Sequence, residues 1–187
     1  TIAGILAFSQ KIVKQHLATK ELDFESQNCG GMHEINNKTI GLIGLGNIGR
    51  RVAKIAAEGF SMKVIGYDPF VKKEMLPDYI EYTEDINCIY KESDFVSLHV
   101  GATPQTIGMI GKEQLKMMKK TAVFVNIARG ALVVEEELAK ALKEGEIAGA
   151  VLDVYSTEPA KPDNPLISLD NVLLSPHCAA LTDEAMD

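Results

Sequence analysis

The hexapeptide Gly44-Leu-Gly46-Asn-Ile-Gly49 closes a short apolar run at 39–45 and opens a stretch at 47–58 with helical apolar spacing. Nothing else in the chain restricts its fold so strongly. Between a strand and a helix, the first glycine permits a tight turn. The second lets the backbone come up to a pyrophosphate, and the third lets helix and strand pack closely. Free N–H groups at the helix start would face the phosphates. Asp68 ends the next apolar run, 62–67, and lies 19 residues beyond Gly49. A carboxylate there hydrogen-bonds the ribose hydroxyls of an adenosine and repels a 2′-phosphate, so NAD is expected rather than NADP. The competing reading is a plain glycine turn with a surface aspartate. The order strand, turn, helix, strand, acid weighs against it.

The remaining periodicity extends this unit. Residues 84–91, 112–118 and 135–144 have helical spacing, and 95–100, 122–127, 148–154 and 171–175 are short apolar runs of strand length. Strands alternating with helices predict an α/β fold of Rossmann type: a doubly wound, mostly parallel sheet with helices on both faces. Residues 2–17 read as one amphipathic helix and 20–37 as a polar surface arm. Three prolines within 155–165 mark a loop. The division expected is a linking helix and arm at 1–37, a core at 38–177, and at 178–187 the start of a return to a substrate domain outside this chain.

A net charge of −7, from 19 basic and 26 acidic side chains, argues against a nucleic-acid or anionic-membrane partner. No apolar run approaches the ~20 residues that span a bilayer. Cys29, Cys88 and Cys178 form no C-x-x-C pair, and His16, His33, His99 and His177 are scattered. A reducing, cytoplasmic setting without disulfides or a metal site is the expectation.

In open parallel sheets the ligand lies beyond the carboxyl ends of the strands. Three such ends here carry Arg129, Glu158 and His177. Taken singly, an arginine at a strand end is as readily a salt-bridge partner, and a histidine a packing or capping residue. Together they suit reduction of a 2-oxo acid. Arg129 would hold the substrate carboxylate in a bidentate fork. His177 would give a proton to the carbonyl oxygen, and Glu158 would orient His177 and favour its charged form.

Four separated blocks occur in order: Thr39-Ile-Gly-Leu-Ile-Gly-Leu-Gly-Asn-Ile-Gly49, Val125-Asn-Ile-Ala-Arg-Gly130, Val151-Leu-Asp-Val154 leading to Glu158-Pro159, and Leu174-Ser-Pro-His177. With them the chain resembles the NAD-binding domain of the D-isomer-specific 2-hydroxyacid dehydrogenases, over nearly its whole length. Its ending is most similar to the phosphoglycerate and hydroxypyruvate branches. The resemblance implies catalytic roles for Arg129, Glu158 and His177. It implies that Asn47 and Ile48 contact the pyrophosphate through their amides, and that Asp153 lies near the nicotinamide carboxamide. Val100, Thr106, Ile127 and Ala128 would line the cofactor groove. It further implies a small 2-oxo or 2-hydroxy acid substrate, and a homodimer in which the arm and first helix take part. The chain departs from the family at Gly101, where a proline is common, and in lacking tryptophan. A dinucleotide-sensing corepressor or scaffold of the same fold is the alternative. A formate or phosphite dehydrogenase is a third reading, which Glu158 beside His177 disfavours. Without its second domain the fragment is expected to bind NAD but turn over little.

Overall fold

The computed structural model describes residues 1–28 and 30–186; Cys29 lies outside the described residues, as does Asp187. Seven parallel strands form one sheet in the order β3-β2-β1-β4-β5-β6-β7. They are β1 (Thr39–Ile43), β2 (Lys63–Tyr67), β3 (Ile80–Tyr82), β4 (Phe95–Leu98), β5 (Val123–Asn126), β6 (Gly149–Leu152) and β7 (Val172–Leu174). The helices are α1 (Ile2–Ser9), α2 (Ile12–Lys20), α3 (Asn47–Lys54), α4 (Ile86–Glu92), α5 (Lys112–Met117), α6 (Glu135–Lys143) and α7 (Asp183–Met186).

Both faces of the sheet are buried, which is why the central strands read as continuous apolar runs rather than alternating ones. The alternation is nevertheless present in the packing. Phe124 of β5 joins one core with Ile89 and Tyr90 of α4, Leu115 of α5 and Leu138 and Leu142 of α6. Its neighbours Val123 and Val125 join the other core, with Ile5 of α1 and Val52 and Ala53 of α3. Successive strand side chains point to opposite faces, so two cores form on one sheet.

Two differences from the sequence reading have long-range causes. The helical spacing of 2–17 runs through a break, because Lys11 adopts φ 51 and separates α1 from α2. The arm itself returns to this corner: His33 N–H donates to Ser9 O at 2.9 Å, and Gln10 Nε2 donates to His33 O at 2.9 Å. His33 thus satisfies the Ser9 carbonyl left at the break, and local periodicity carries no trace of so distant a partner. The helix α1 is also part of the cover of the sheet. Ile5 is fully buried, and Gly4 packs so closely on β6 that a Cβ there would meet Val151 Cγ1 at 2.5 Å. The second difference is β3, an edge strand of three residues paired Val64↔Ile80 to Gly66↔Tyr82. Three residues are too few to show a period of two.

Candidate active site

The chain leaves β1 toward β2 but leaves β4 toward β5, so the strand order reverses between β1 and β4. A crevice opens at such a point beyond the carboxyl ends of the strands. The glycine turn fills its floor. Gly44 has φ +101, and a Cβ there would lie 2.6 Å from the carbonyl oxygen of His99 at the end of β4. Glycine is required on both counts. Gly49, in the first turn of α3, sits so close to the carbonyl of Gly44 that a Cβ would overlap its oxygen. The turn hangs on the end of β2 by two bonds: Gly44 N–H to Tyr67 O at 2.9 Å, and Leu45 N–H to Asp68 Oδ2 at 2.8 Å. Arg50 Nε folds back to Leu45 O at 2.7 Å and braces it from the helix side.

These residues fit a dinucleotide. A Cβ on Gly46 would meet nothing within 4 Å, so the backbone there is open to a close ligand. No side chain caps α3, Asn47 is exposed and Ile48 is 63% exposed. An uncapped helix start beside bare backbone suits a pyrophosphate. Asp68 accepts one N–H on each oxygen, from Leu45 and from Phe70 (2.9 Å). Each oxygen keeps a second lone pair for a ribose hydroxyl. Val100 is half-buried against the core behind the turn. Thr106 closes the 101–106 loop on itself, its Oγ1 donating to Gly101 O at 2.7 Å and accepting Thr103 N–H at 2.8 Å.

The later strand ends carry Arg129, Glu158 and His177. Buried Asn126 ends β5 and shapes the loop after it: Oδ1 accepts Ala128 N–H at 3.0 Å and Nδ2 donates to Arg129 O at 2.9 Å. Ile127 and Ala128 are half-buried on opposite faces. Arg129 is exposed, donates to Ala128 O at 2.6 Å, and has no ion pair among the described residues. The salt-bridge reading of this arginine is therefore unsupported among the described residues.

Glu158 Oε2 lies 2.6 Å from His177 Nδ1, and Glu158 Oε1 accepts Tyr155 N–H at 3.0 Å. The hydrogen bond from His177, then the one from Tyr155, hold the Glu158 carboxyl below its ordinary range. His177 itself adopts φ 53, an uncommon conformation for a residue with a side chain. Asp153, only 2% exposed, explains how that is held. Its Oδ1 accepts Ser175 Oγ–H at 2.5 Å and Cys178 N–H at 3.0 Å, and its Oδ2 accepts Ala179 N–H at 2.9 Å. Burial pushes the Asp153 carboxyl up, but these donors and nearby His177 outweigh it and the group stays below its ordinary range. The carboxylate thus holds the chain on both sides of His177, through the Ser175 hydroxyl before it and the Cys178 and Ala179 amides after it. Sequence reasoning placed Asp153 near a nicotinamide and did not foresee this clasp. Asn126 and Ser175 stood inside the quoted blocks without a role; only their bonds to the neighbouring loops reveal one.

The family model described as "D-isomer specific 2-hydroxyacid dehydrogenase, NAD binding domain" matches residues 2–179. The chain is 45% identical over 186 residues to the D-3-phosphoglycerate dehydrogenase of Methanocaldococcus jannaschii, covering 99% of this chain and 35% of that protein. It is 46% identical over 153 residues to the glyoxylate reductase of Korarchaeum cryptofilum, covering 81% of this chain and 46% of that protein. Among solved structures, the NAD-complexed D-isomer specific 2-hydroxyacid dehydrogenase of Lactobacillus delbrueckii ssp. bulgaricus superposes with a TM-score of 0.84 at 36% identity. That match covers 100% of this chain and 60% of the other. The chain therefore spans between about a third and three-fifths of the length of these relatives.

Proposed function

The chain belongs to the D-isomer specific 2-hydroxyacid dehydrogenase family, as its NAD binding domain, and from that premise we propose that the whole protein interconverts a small 2-oxo acid and its D-2-hydroxy acid with NAD(H). The observation that carries the reading is the 2.6 Å contact between Glu158 and His177, with Arg129, in no ion pair among the described residues, beyond β5 on the same sheet edge. Relatives named phosphoglycerate dehydrogenase and glyoxylate reductase agree in substrate class.

The glycine turn and the amides of Asn47 and Ile48 hold the pyrophosphate, and Asp68 the adenosine ribose. Val100, Thr106, Ile127 and Ala128 line the groove beside them. When bound, NAD supplies two-electron redox chemistry at its nicotinamide ring. Arg129 binds the substrate carboxylate and fixes the face that the 2-carbon presents. His177 Nε2 holds a proton at the 2-oxygen and releases it as the carbonyl becomes a hydroxyl; in the reverse direction it takes that proton back. Glu158, hydrogen-bonded to Nδ1, orients the ring for that transfer. Asp153 seats the segment from which His177 projects.

A homodimer completes the proposal. Ile12, Val13, Leu17, Leu22 and Phe24 are exposed apolar side chains on α2 and the arm, a concentration that a partner surface explains. Among the described residues no helix is long and apolar enough to cross a membrane; a cytoplasmic location is proposed. The test has two arms. NADH titration of this chain should show saturable binding; a folded chain that binds none at millimolar NADH sinks the cofactor assignment. A panel of glyoxylate, hydroxypyruvate and related 2-oxo acids on the full-length protein should reveal NADH oxidation. Oxidation with none of them sinks the reaction.

A further inference from the structure

The loop after β6 carries Glu158, and its Tyr155–Ser156 step is gripped from four directions. Gly130, next to Arg129, lies so close that a Cβ would overlap the Tyr155 carbonyl and approach Ser156 N at 2.5 Å. Glu158 takes the Tyr155 N–H at 3.0 Å. The Tyr155 hydroxyl donates to Ser175 O at 2.9 Å, two residues before His177. The fourth grip comes from Glu135, the first residue of α6. Its Oε1 accepts Ser156 N–H at 2.5 Å and its Oε2 accepts Asn164 Nδ2–H at 2.8 Å.

Glu135 is 7% exposed. A buried carboxylate is costly unless hydrogen-bonded, so its position calls for a reason. The helix dipole is not sufficient, because Glu136 and Glu137 also stand in the first turn of α6 and are less buried. What sets Glu135 apart is that both oxygens are spent on the loop bearing Glu158. The Tyr155–Ser156 backbone is also where the ends of β5, β6 and β7 meet.

We propose that Glu135 is a positioning residue for the active site. By clamping the Ser156 amide against the Arg129-Gly130 turn, it holds the loop so that Glu158 reaches Tyr155 N–H and His177 Nδ1 together. The inference rests on the reaction assigned above to Glu158 and His177, but its test does not depend on turnover.

The readout is the Glu158 side-chain carboxyl, followed by carbon-13 NMR through a pH titration of this chain. Besides His177 and Tyr155 N–H, which lower it, the charge of Asp153 acts on it in the opposite sense. In Glu135→Ala the loop is released and the Glu158 midpoint should rise toward the ordinary carboxylate range. Glu135→Gln keeps an acceptor for Ser156 N–H and should restore the wild-type midpoint. Asn164→Ala cuts the other contact and should lower stability without moving Glu158. A folded Glu135→Ala with an unmoved Glu158 midpoint, or a Gln variant as shifted as Ala, overturns the proposal. If Ala does not fold, Glu135→Asp, which draws the carboxylate back by one methylene, is judged by the same midpoint. In the full-length protein, kcat should fall by up to about 100-fold in Glu135→Ala while NADH affinity holds, as expected for a small misplacement of reacting groups. Absence of turnover in the wild-type protein would count against the reaction; the carboxyl titration would still decide the role of Glu135.

Discussion

Asp68 Oδ2 accepts the N–H of Leu45 at 2.8 Å, so the acid at the end of β2 also braces the glycine turn at the end of β1. The side chain proposed to hold the cofactor ribose thus also makes a fold contact. Asp68→Ser shortens the side chain, removes its charge and loosens the turn. NADH affinity should fall by about tenfold, the equivalent of losing one charged hydrogen bond at ~1.4 kcal/mol. NADPH affinity should rise, because no carboxylate then opposes a 2′-phosphate. Fluorescence titration with both cofactors checks this, and unchanged discrimination would remove Asp68 from the ribose site.

Gly49 has no room for a side chain beside the Gly44 carbonyl. Gly49→Ala must push α3 away from β1. A loss of about 1–3 kcal/mol in urea unfolding is expected, as for overpacking elsewhere, together with loss of NADH binding. Gly46→Ala is the contrast. It meets no protein atom, so stability should hold while cofactor binding weakens.

Arg129 and His177 are separable by kinetics in the full-length protein. Arg129→Ala should raise KM for the oxo acid and lower kcat, because the same fork binds and orients the carboxylate. His177→Ala should lower kcat by about 100-fold or more, the usual scale of a lost general acid. NADH affinity should change little in either. Wild-type turnover in both variants would refute the assignment.

His99 gives a pH signature unrelated to catalysis. Burial beneath the glycine turn pushes its imidazole from 6.5 down to about 4, with Ser97 Oγ 3.0 Å from Nε2. The folded state therefore resists protonation that the unfolded chain accepts. Stability should be complete above the unfolded value near 6.5 and decline as the pH falls toward 4, by on the order of 2–3 kcal/mol. Urea midpoints across that window measure it, and His99→Gln should flatten the slope. An equal slope in the variant would place the effect on other groups.

The sheet and its cofactor edge were legible because each is written locally. Apolar runs of strand length, glycines at fixed offsets and an acid at the next strand end need no distant partner to be recognised. The break at Lys11, the edge strand at Ile80–Tyr82 and the burial of α1 were not legible. Their causes are His33 at the α1–α2 corner, Val64 on β2 and Val151 on β6, each far off in the chain.

The candidate site divides in the same way. Residue types and their spacing determined which groups are present: the glycine turn, Asp68, Arg129, Glu158 and His177. Only the tertiary structure decided how they are held. It set the expected Glu158–His177 pair at 2.6 Å across 19 residues, and tied down the chain after His177 with the buried carboxylate of Asp153. It also set Glu135 of a neighbouring helix on the loop that bears Glu158. The physical reason is that a hydrogen bond acts over about 3 Å of space, and separation along the chain does not encode that distance.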